Sequence, residues 1–467
     1  MCAGNNMSVA SRSVLPTSVF AFAVSVLVCL SATNGYAKPL APGLTPFGAE
    51  QSANESGSIP AWDGGLTPEN TKPVKDKLED HYAAEKPLYV ITSANQAEHA
   101  DHLSDGQKAL LKAYPESYNL PVYPSHRTAA ATPWVYDNIA SNHQTAKLVN
   151  DGNGFTDAFG GVPFPVPKNE AGEYDARKIL WNHLTRWRGL FIKAVTSEAP
   201  VHANGNYSIV SADQSVYFLY YDPAENFKTI DNQMSQFMAS ITKPSRLAGG
   251  ALLVHETIDR IKEDRSAWIY NAGTRRVRRA PSVGYDNPVP SADNLLTADD
   301  VDMFNGALDR YDWRFVGKQE MLIPYNNFKL SNQTGDYDQL LKKGHVNPDL
   351  TRYEMHRVWV IEGSVKKGTR HLYSKRRFYL DEDSWSIVQA DQYDARGNLW
   401  RVHVSYLVNY YHVPVTWSAL SVNHDLESKR YYASFLDNSN GLAIEFLNAP
   451  PKKGEFSPQA LRRGGTR

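Results

Sequence analysis

From about residue 190 onward, apolar and polar positions alternate with a period of two, the pattern of strands with one face buried. Residues 216–221 (VYFLYY) form a continuous apolar run, and 247–258 hold another, broken by Gly249-Gly250. Residues 267–279 predict a hairpin, with Asn271-Ala272-Gly273 at its turn. Further strands are predicted over 313–322, 353–365, 370–380, 385–393, 399–411 and 431–436, with a tight turn at 394–398 (DARGN). Strands this frequent, joined by short turns, imply an antiparallel meander. Alternation pairs Trp268 with Tyr270, Val358 with Val360, and Phe378 with Leu380.

The pattern ahead of residue 190 is different. Ile179, Leu180, His183, Leu184 and Trp187 recur at helical spacing behind Asp175, a good N-cap, with Trp181 and Arg188 on the flank of that helix. Ser93 with Gln96, and Ser104 with Gln107, have the spacing of capping boxes and predict two short helices. The second leads into Leu110, Leu111 and Tyr114. Thr297 and Asp300 predict a further helix over 297–308. Residues 38–75 are rich in Pro, Gly, Ser and Asn and read as an extended arm, pinned by Phe47 and Trp62; 151–168 must be loop. The expected organisation is a leader (1–37), the arm (38–75), a helical and loop-rich part (76–200), a β-rich body (201–450) and a tail (451–467). The fold class is α+β, dominated by β.

The leader is read from Arg12, an apolar stretch at 18–30 (SVFAFAVSVLVCL), and small residues Gly35 and Ala37 before a cleavage point. The true start is Met1 or Met7. An exported, periplasmic protein is expected. Both cysteines, Cys2 and Cys29, fall in the leader, so the rest of the chain has neither disulfide nor thiol chemistry. No later apolar run approaches the roughly 18 residues that a membrane-spanning helix needs. Lys+Arg total 49 against 50 Asp+Glu, a balance that argues against nucleic acid as partner.

Candidate chemistry is sparse. The chain has no Gly-x-Ser-x-Gly elbow, His-Glu-x-x-His pair or phosphate loop, and no cofactor is expected. His255-Glu256 lacks a second histidine and sits in a strand pattern, so it is read as structural. Asp381-Glu382-Asp383 could seed a calcium site or supply paired carboxylates, but an acidic turn between strands is the plainer reading, and no metal is expected. His183, inside an apolar stripe, reads as a satisfied core histidine. Arg275, Arg276, Arg278 and Arg279 form the sharpest charge cluster. Alternation puts Arg276 and Arg278 on one face, with Arg275, Val277 and Arg279 on the other. The cluster can contact anionic headgroups or an acidic partner, or it can be a solvated edge whose charges block aggregation. Arg376 and Arg377 invite the same two readings.

Several segments together carry a family resemblance. They include SAWIYNAGTRRVRRAP (266–281), DWRFVGKQEMLIPYN (312–326), HRVWVIEG (356–363) and RRFYLDEDSWSIVQADQYDARGNLWRV (376–402). The earlier part adds EKPLYVITSANQAEHADHLSDGQKALLKAYP (85–115), VYPSHRTAAATPWVYDN (122–138) and GGVPFPVPKN (160–169). The chain resembles a proteobacterial family of secreted proteins, domain of unknown function 1329, placed near the LolA/LolB-like lipoprotein carriers. The resemblance implies a curled antiparallel half-barrel with helices over its concave face. It also implies an apolar cargo cavity, for which Trp268, Tyr270, Val358, Val360, Phe378 and Leu380 are the candidates; a sealed core without a cavity fits the same alternation, which does not distinguish the two. Two functions follow from different classes. One is a non-catalytic periplasmic carrier for a lipid or lipidated cargo, accessory to a membrane exporter of the resistance-nodulation-division type. The other is a secreted hydrolase acting on an envelope lipid or glycan.

Overall fold

The computed structural model describes Met1 and residues 40–75, 77–280, 285–331, 337–436 and 444–464. Apart from Met1, the expected leader lies outside the described residues. The strands are β1 (Tyr89–Ile91), β2 (Leu120–Val122), β3 (Lys147–Val149), β4 (Gly154–Thr156), β5 (Phe191–Val201), β6 (Val210–Tyr217), β7 (Gln233–Lys243), β8 (Ala251–Thr257) and β9 (Ser266–Asn271). They continue as β10 (Arg276–Arg279), β11 (Tyr311–Pro324), β12 (Tyr353–Val365), β13 (Lys375–Asp381), β14 (Ile387–Tyr393), β15 (Leu399–Tyr410), β16 (Val415–Asp425), β17 (Arg430–Leu436) and β18 (Ile444–Leu447). Among the described residues, three α-helices exceed two turns: α1 (Asp105–Ala113), α2 (Pro133–Thr145) and α3 (Ala176–Leu184).

Among the described residues, sixteen strands form one sheet in the order β1-β2-β12-β13-β14-β15-β16-β17-β5-β6-β7-β8-β9-β10. β11 pairs with β12, and β18 pairs with β5. The pairings are antiparallel except where β2 meets β12 at Tyr353 and Val122. The sheet curls without closing, because its path ends at β1 on one side and β10 on the other. The meander read from the sequence is therefore correct. It starts with β5, ahead of residue 201, and includes β7 and β16, which the pattern did not single out.

Both faces of the β12–β17 half are covered. On one, α1 packs so closely that a Cβ at Gly106 would lie 2.2 Å from Asp391 Oδ1. Ser104 caps this helix in the box predicted with Gln107. On the other face, α3 rests against β11 and β12, and Asp175 caps it as expected. Phe47 and Trp62 are buried and pin the N-terminal arm as predicted, the Trp62 indole donating to Ala129 O at 3.1 Å. Among the described residues, no helix is long and apolar enough to cross a membrane.

Four local expectations are corrected. Ser93 caps nothing: 96–102 is a 3-10 segment behind Asn95, and the Gln96 side chain donates back to Ser93 O. The run 216–221 is a strand only to Tyr217 and then tightens into a 3-10 turn. Thr297 and Asp300 do form a capping box, but the helix stops after one 3-10 turn (Ala298–Asp300). The chain then continues as an irregular strap, because Asp299, Asp300 and Asp302 turn into the protein to meet buried arginines rather than extending a helix. Arg376, read as a headgroup contact or a solvated edge charge, is fully buried between Asp299 and Asp300.

Candidate functional site

The antiparallel register fixes which side chains share a face. Val358 and Val360 stand opposite Asp381 and Tyr379, whereas Phe378 and Leu380 stand opposite Ile361 and Trp359. Phe378 and Leu380 therefore lie on the α3 face, and Val358 and Val360 on the α1 face. Trp268 and Tyr270 belong to a third group, with Leu190, Phe191, Tyr217, Leu253, Phe456 and Leu461. The structure thus distributes the six candidate cavity residues over three packed clusters and does not bring them together. Period two says which residues within one strand share a side. It does not say which side of the next strand they join.

The two halves of the α3 face differ in cover. Over β12–β17 it is sealed by α3 and by the strap that follows Thr297. Arg376 donates to Asp299 Oδ2 at 2.7 Å and also to Asp300, holding the Asp299 carboxyl well below its usual range against the opposing effect of burial. Arg186 and Arg188 reach Asp302 at 2.5 and 2.6 Å. Burial acts against that carboxylate, but the two guanidiniums hold it down to about 2. His183 sits beneath, its Nδ1 accepting from the Ile387 backbone N–H at 3.2 Å and its Nε2 donating to Asp302 O at 3.0 Å, and burial pushes it down to about 3, so it is a neutral core histidine as the sequence suggested. At its far end the strap meets β8. Asn305 bonds Glu256 at 3.1 Å, and Glu256 pairs with Arg260 and Arg265 at 3.0 and 2.8 Å.

Beyond Asn305 the cover on this face thins. A single cross-strand row runs Ala194, Gln214, Ala239, Leu252, Ile269, Arg278 across β5 to β10. Val216 and Phe237 lie in the adjacent row, and Ile241 stands on the other side. These side chains are half-exposed, and Ile269 is 44% exposed. Six strands at about 4.8 Å spacing make the row roughly 24 Å long. Arg276, opposite Asn271, shares the face with Arg278, as alternation predicted. Arg279 stands opposite Trp268 on the other face, and Arg275 lies in the turn with φ 52°. Among the described residues, no ion pair engages Arg276 or Arg278. The sequence marked this basic rim, but not the strip beside it. Leu252 and Ile269 look like any other strand residues, and only their thinner cover among the described residues distinguishes them.

Elsewhere the arrangement is polar and closed. His255 lies in β8 beside Glu256, and its Nε2 meets Phe456 O at 3.1 Å, a structural position as expected. A small cleft of about 270 Å³, open mouth included, is lined by Tyr82, Glu85, Tyr123, Asn326, Thr351 and Arg352, among others. The turn carrying Asp381, Glu382 and Asp383 is buried rather than solvated, because Arg127, Lys318 and Arg357 close over it.

A family model described as "Protein of unknown function (DUF1329)" matches residues 90–462. The chain is 43% identical over 461 residues to Uncharacterized protein PA3922 of Pseudomonas aeruginosa, covering 98% of this chain and 99% of that one. Among solved structures, it is similar to a putative outer membrane lipoprotein-sorting protein domain from Vibrio parahaemolyticus, with a TM-score of 0.42 and 14% identity, over 61% of this chain and 97% of that one. It is likewise similar to a DUF1329 family protein from Desulfovibrio piger, with a TM-score of 0.40 and 14% identity, over 58% of this chain and 92% of that one. With the family match running through nearly the whole β-rich body and a full-length relative beside it, the chain belongs to the DUF1329 family.

Proposed function

We propose that this protein is a non-catalytic periplasmic carrier that lays an apolar chain, from a lipid or a lipidated molecule, along the open strip of the α3 face. The observation that carries the reading is the row from Ala194 to Ile269, which ends at Arg278, engaged in no ion pair among the described residues. Its length of roughly 24 Å exceeds the ~15 Å that one acyl chain spans in a bilayer leaflet. Each methylene removed from water contributes roughly 0.8 kcal/mol, so binding needs no catalytic group. An anionic headgroup would sit on Arg276 and Arg278. A hydrolase needs acid and base groups converging on an accessible cleft; Asp381 and His356 are instead sealed, which favours the carrier. Hand-over to an envelope partner, such as a membrane exporter, completes the proposed role.

The test is titration of the mature protein with a fluorescent fatty-acid probe, alongside mass spectrometry of lipid extracted from protein purified out of the periplasm. Ile269→Asp and Leu252→Asp are expected to weaken probe binding at least tenfold with an unchanged circular dichroism spectrum. Arg278→Glu is expected to weaken an anionic probe more than its neutral ester. A wild-type protein that carries no lipid and binds no probe, or variants that bind like wild type, would overturn the proposal.

A further inference from the structure

On the α1 face, β12 and β13 bring three metal-ligating side chains together. Val358 stands opposite Asp381, which places Asp381 one step along the same face from His356. After Asp381 the chain turns through Glu382 and Asp383, with Trp385 in the left-handed region at φ 58°, before β14 begins. One ligand atom from each of His356, Asp381 and Asp383 lies within 4.8 Å of the other two, and all three residues are buried.

The hydrogen bonds around this group leave one carboxylate oxygen without a partner. Asp381 Oδ2 accepts from the Ser384 backbone N–H at 2.9 Å and from its hydroxyl at 2.6 Å. Asp381 Oδ1, fully buried, has no hydrogen-bond partner and faces His356 Nδ1 at 3.8 Å. The buried Tyr325 ring lies 4.1 Å from the His356 ring and walls the site on that side. A fully buried carboxylate oxygen without a partner is costly unless something binds there. The neighbouring cations are engaged elsewhere. Lys318 is on Glu382 and Glu50, Arg357 is on Glu382, and Arg352 is on Glu354 and Glu85. Asp381 therefore lacks an arginine or lysine partner among the described residues, and burial, with Asp383 beside it, shifts its carboxyl upward.

We propose that His356 Nδ1, Asp381 and Asp383 hold a divalent first-row transition-metal ion, with Zn²⁺ as its simplest representative and a water completing the shell. A neutral imidazole and two carboxylates supply the nitrogen and oxygen donors such an ion takes, with Asp383 shared between the ion and Arg127. Zinc–ligand distances of about 2.0–2.2 Å set neighbouring ligand atoms roughly 3.4 Å apart, so binding draws the His356–Asp381 pair in from 3.8 Å and the whole group in from a spread of up to 4.8 Å. The outer contacts are those that orient metal ligands. His356 Nε2 meets Glu354 Oε2 at 3.2 Å. Arg127 holds Asp383 through Nε at 2.8 Å and Nη2 at 2.6 Å. The site is structural: it ties β12, the turn after β13, and the Arg127 segment of the long N-terminal connection into one knot.

The test is elemental analysis of the mature protein purified without chelator or affinity metal, followed by chelation and thermal unfolding with added Zn²⁺, Co²⁺ or Mn²⁺. About one ion per chain is expected, with a rise in Tm of several degrees on reloading the stripped protein. Asp381→Asn, which keeps the shape, and His356→Gln are expected to lose at least tenfold in metal affinity. If either variant fails to fold, the Co²⁺ absorption spectrum of the wild-type protein decides, since an ion held by His356 and the two carboxylates gives visible bands that are absent from Co²⁺ in buffer. Substoichiometric metal with no thermal shift from any of the three ions overturns the site. So do variants that are stabilised by metal as much as wild type, and so does a Co²⁺ spectrum equal to that in buffer.

Discussion

Asp391 offers a direct test of how α1 is seated on the sheet. Its carboxylate is buried beneath the first turn of the helix, accepting from the Gly106 backbone N–H at 3.1 Å, Gln389 Nε2 at 2.9 Å and the Tyr379 hydroxyl at 3.1 Å. Burial is the largest influence on it, the three donors offset this in part, and Asp105 adds repulsion, so the carboxyl is pushed up to about 6 from 3.8. A carboxyl raised on folding stabilises the fold fully below its unfolded value, and that contribution is lost as pH rises toward the folded one. The gap between 3.8 and about 6 corresponds to roughly 3 kcal/mol, of which about 2 falls between pH 4 and pH 7. Asp391→Asn keeps the shape and one acceptor oxygen but cannot ionise. Urea unfolding of both proteins across that range is expected to show the variant gaining about 2 kcal/mol on wild type from pH 4 to pH 7, then holding that difference at higher pH. A difference that stays constant from pH 4 to pH 7 would show that Asp391 is hydrated in the folded state and that the helix does not seal it.

The strap and the helix contact make further predictions. Arg376→Leu leaves Asp299 and Asp300 buried without their main counter-charge, and is expected to cost roughly 3–5 kcal/mol in urea unfolding. Adding Asp299→Asn and Asp300→Asn to that variant should recover a large part of the loss; no recovery would mean that the arginine acts through packing alone. Gly106→Ala forces a methyl group to within 2.2 Å of Asp391 Oδ1 and 2.6 Å of Val402 Cγ1, and is expected to destabilise by about 1–3 kcal/mol, read as a lowered Tm. By contrast, Ile269→Lys on the open strip is expected to change stability by less than about 0.5 kcal/mol, because its side chain is already 44% in solvent.

Much of the architecture was readable from local pattern, because strand alternation and helix capping are properties of neighbouring residues. The hairpin at 267–279, the caps Ser104 and Asp175, the buried Phe47 and Trp62, and the shared face of Arg276 and Arg278 all follow from residues a few positions apart. The β-dominated class follows in the same way. The open strip, the strap and the buried clusters were not readable, since each depends on partners distant in sequence. Arg376 looked like a surface charge because its counter-charges, Asp299 and Asp300, lie 77 and 76 residues away. Val358 and Phe378 look alike on the page, and only the register between β12 and β13 puts them on opposite faces. His356 meets Asp381 only because β12 and β13 pair in that same register. A one-residue change of register would invert every such grouping while leaving the alternation intact. Cover is likewise a property of whatever packs on a face, so tertiary structure alone decides that Phe378 is core and Ile269 is surface.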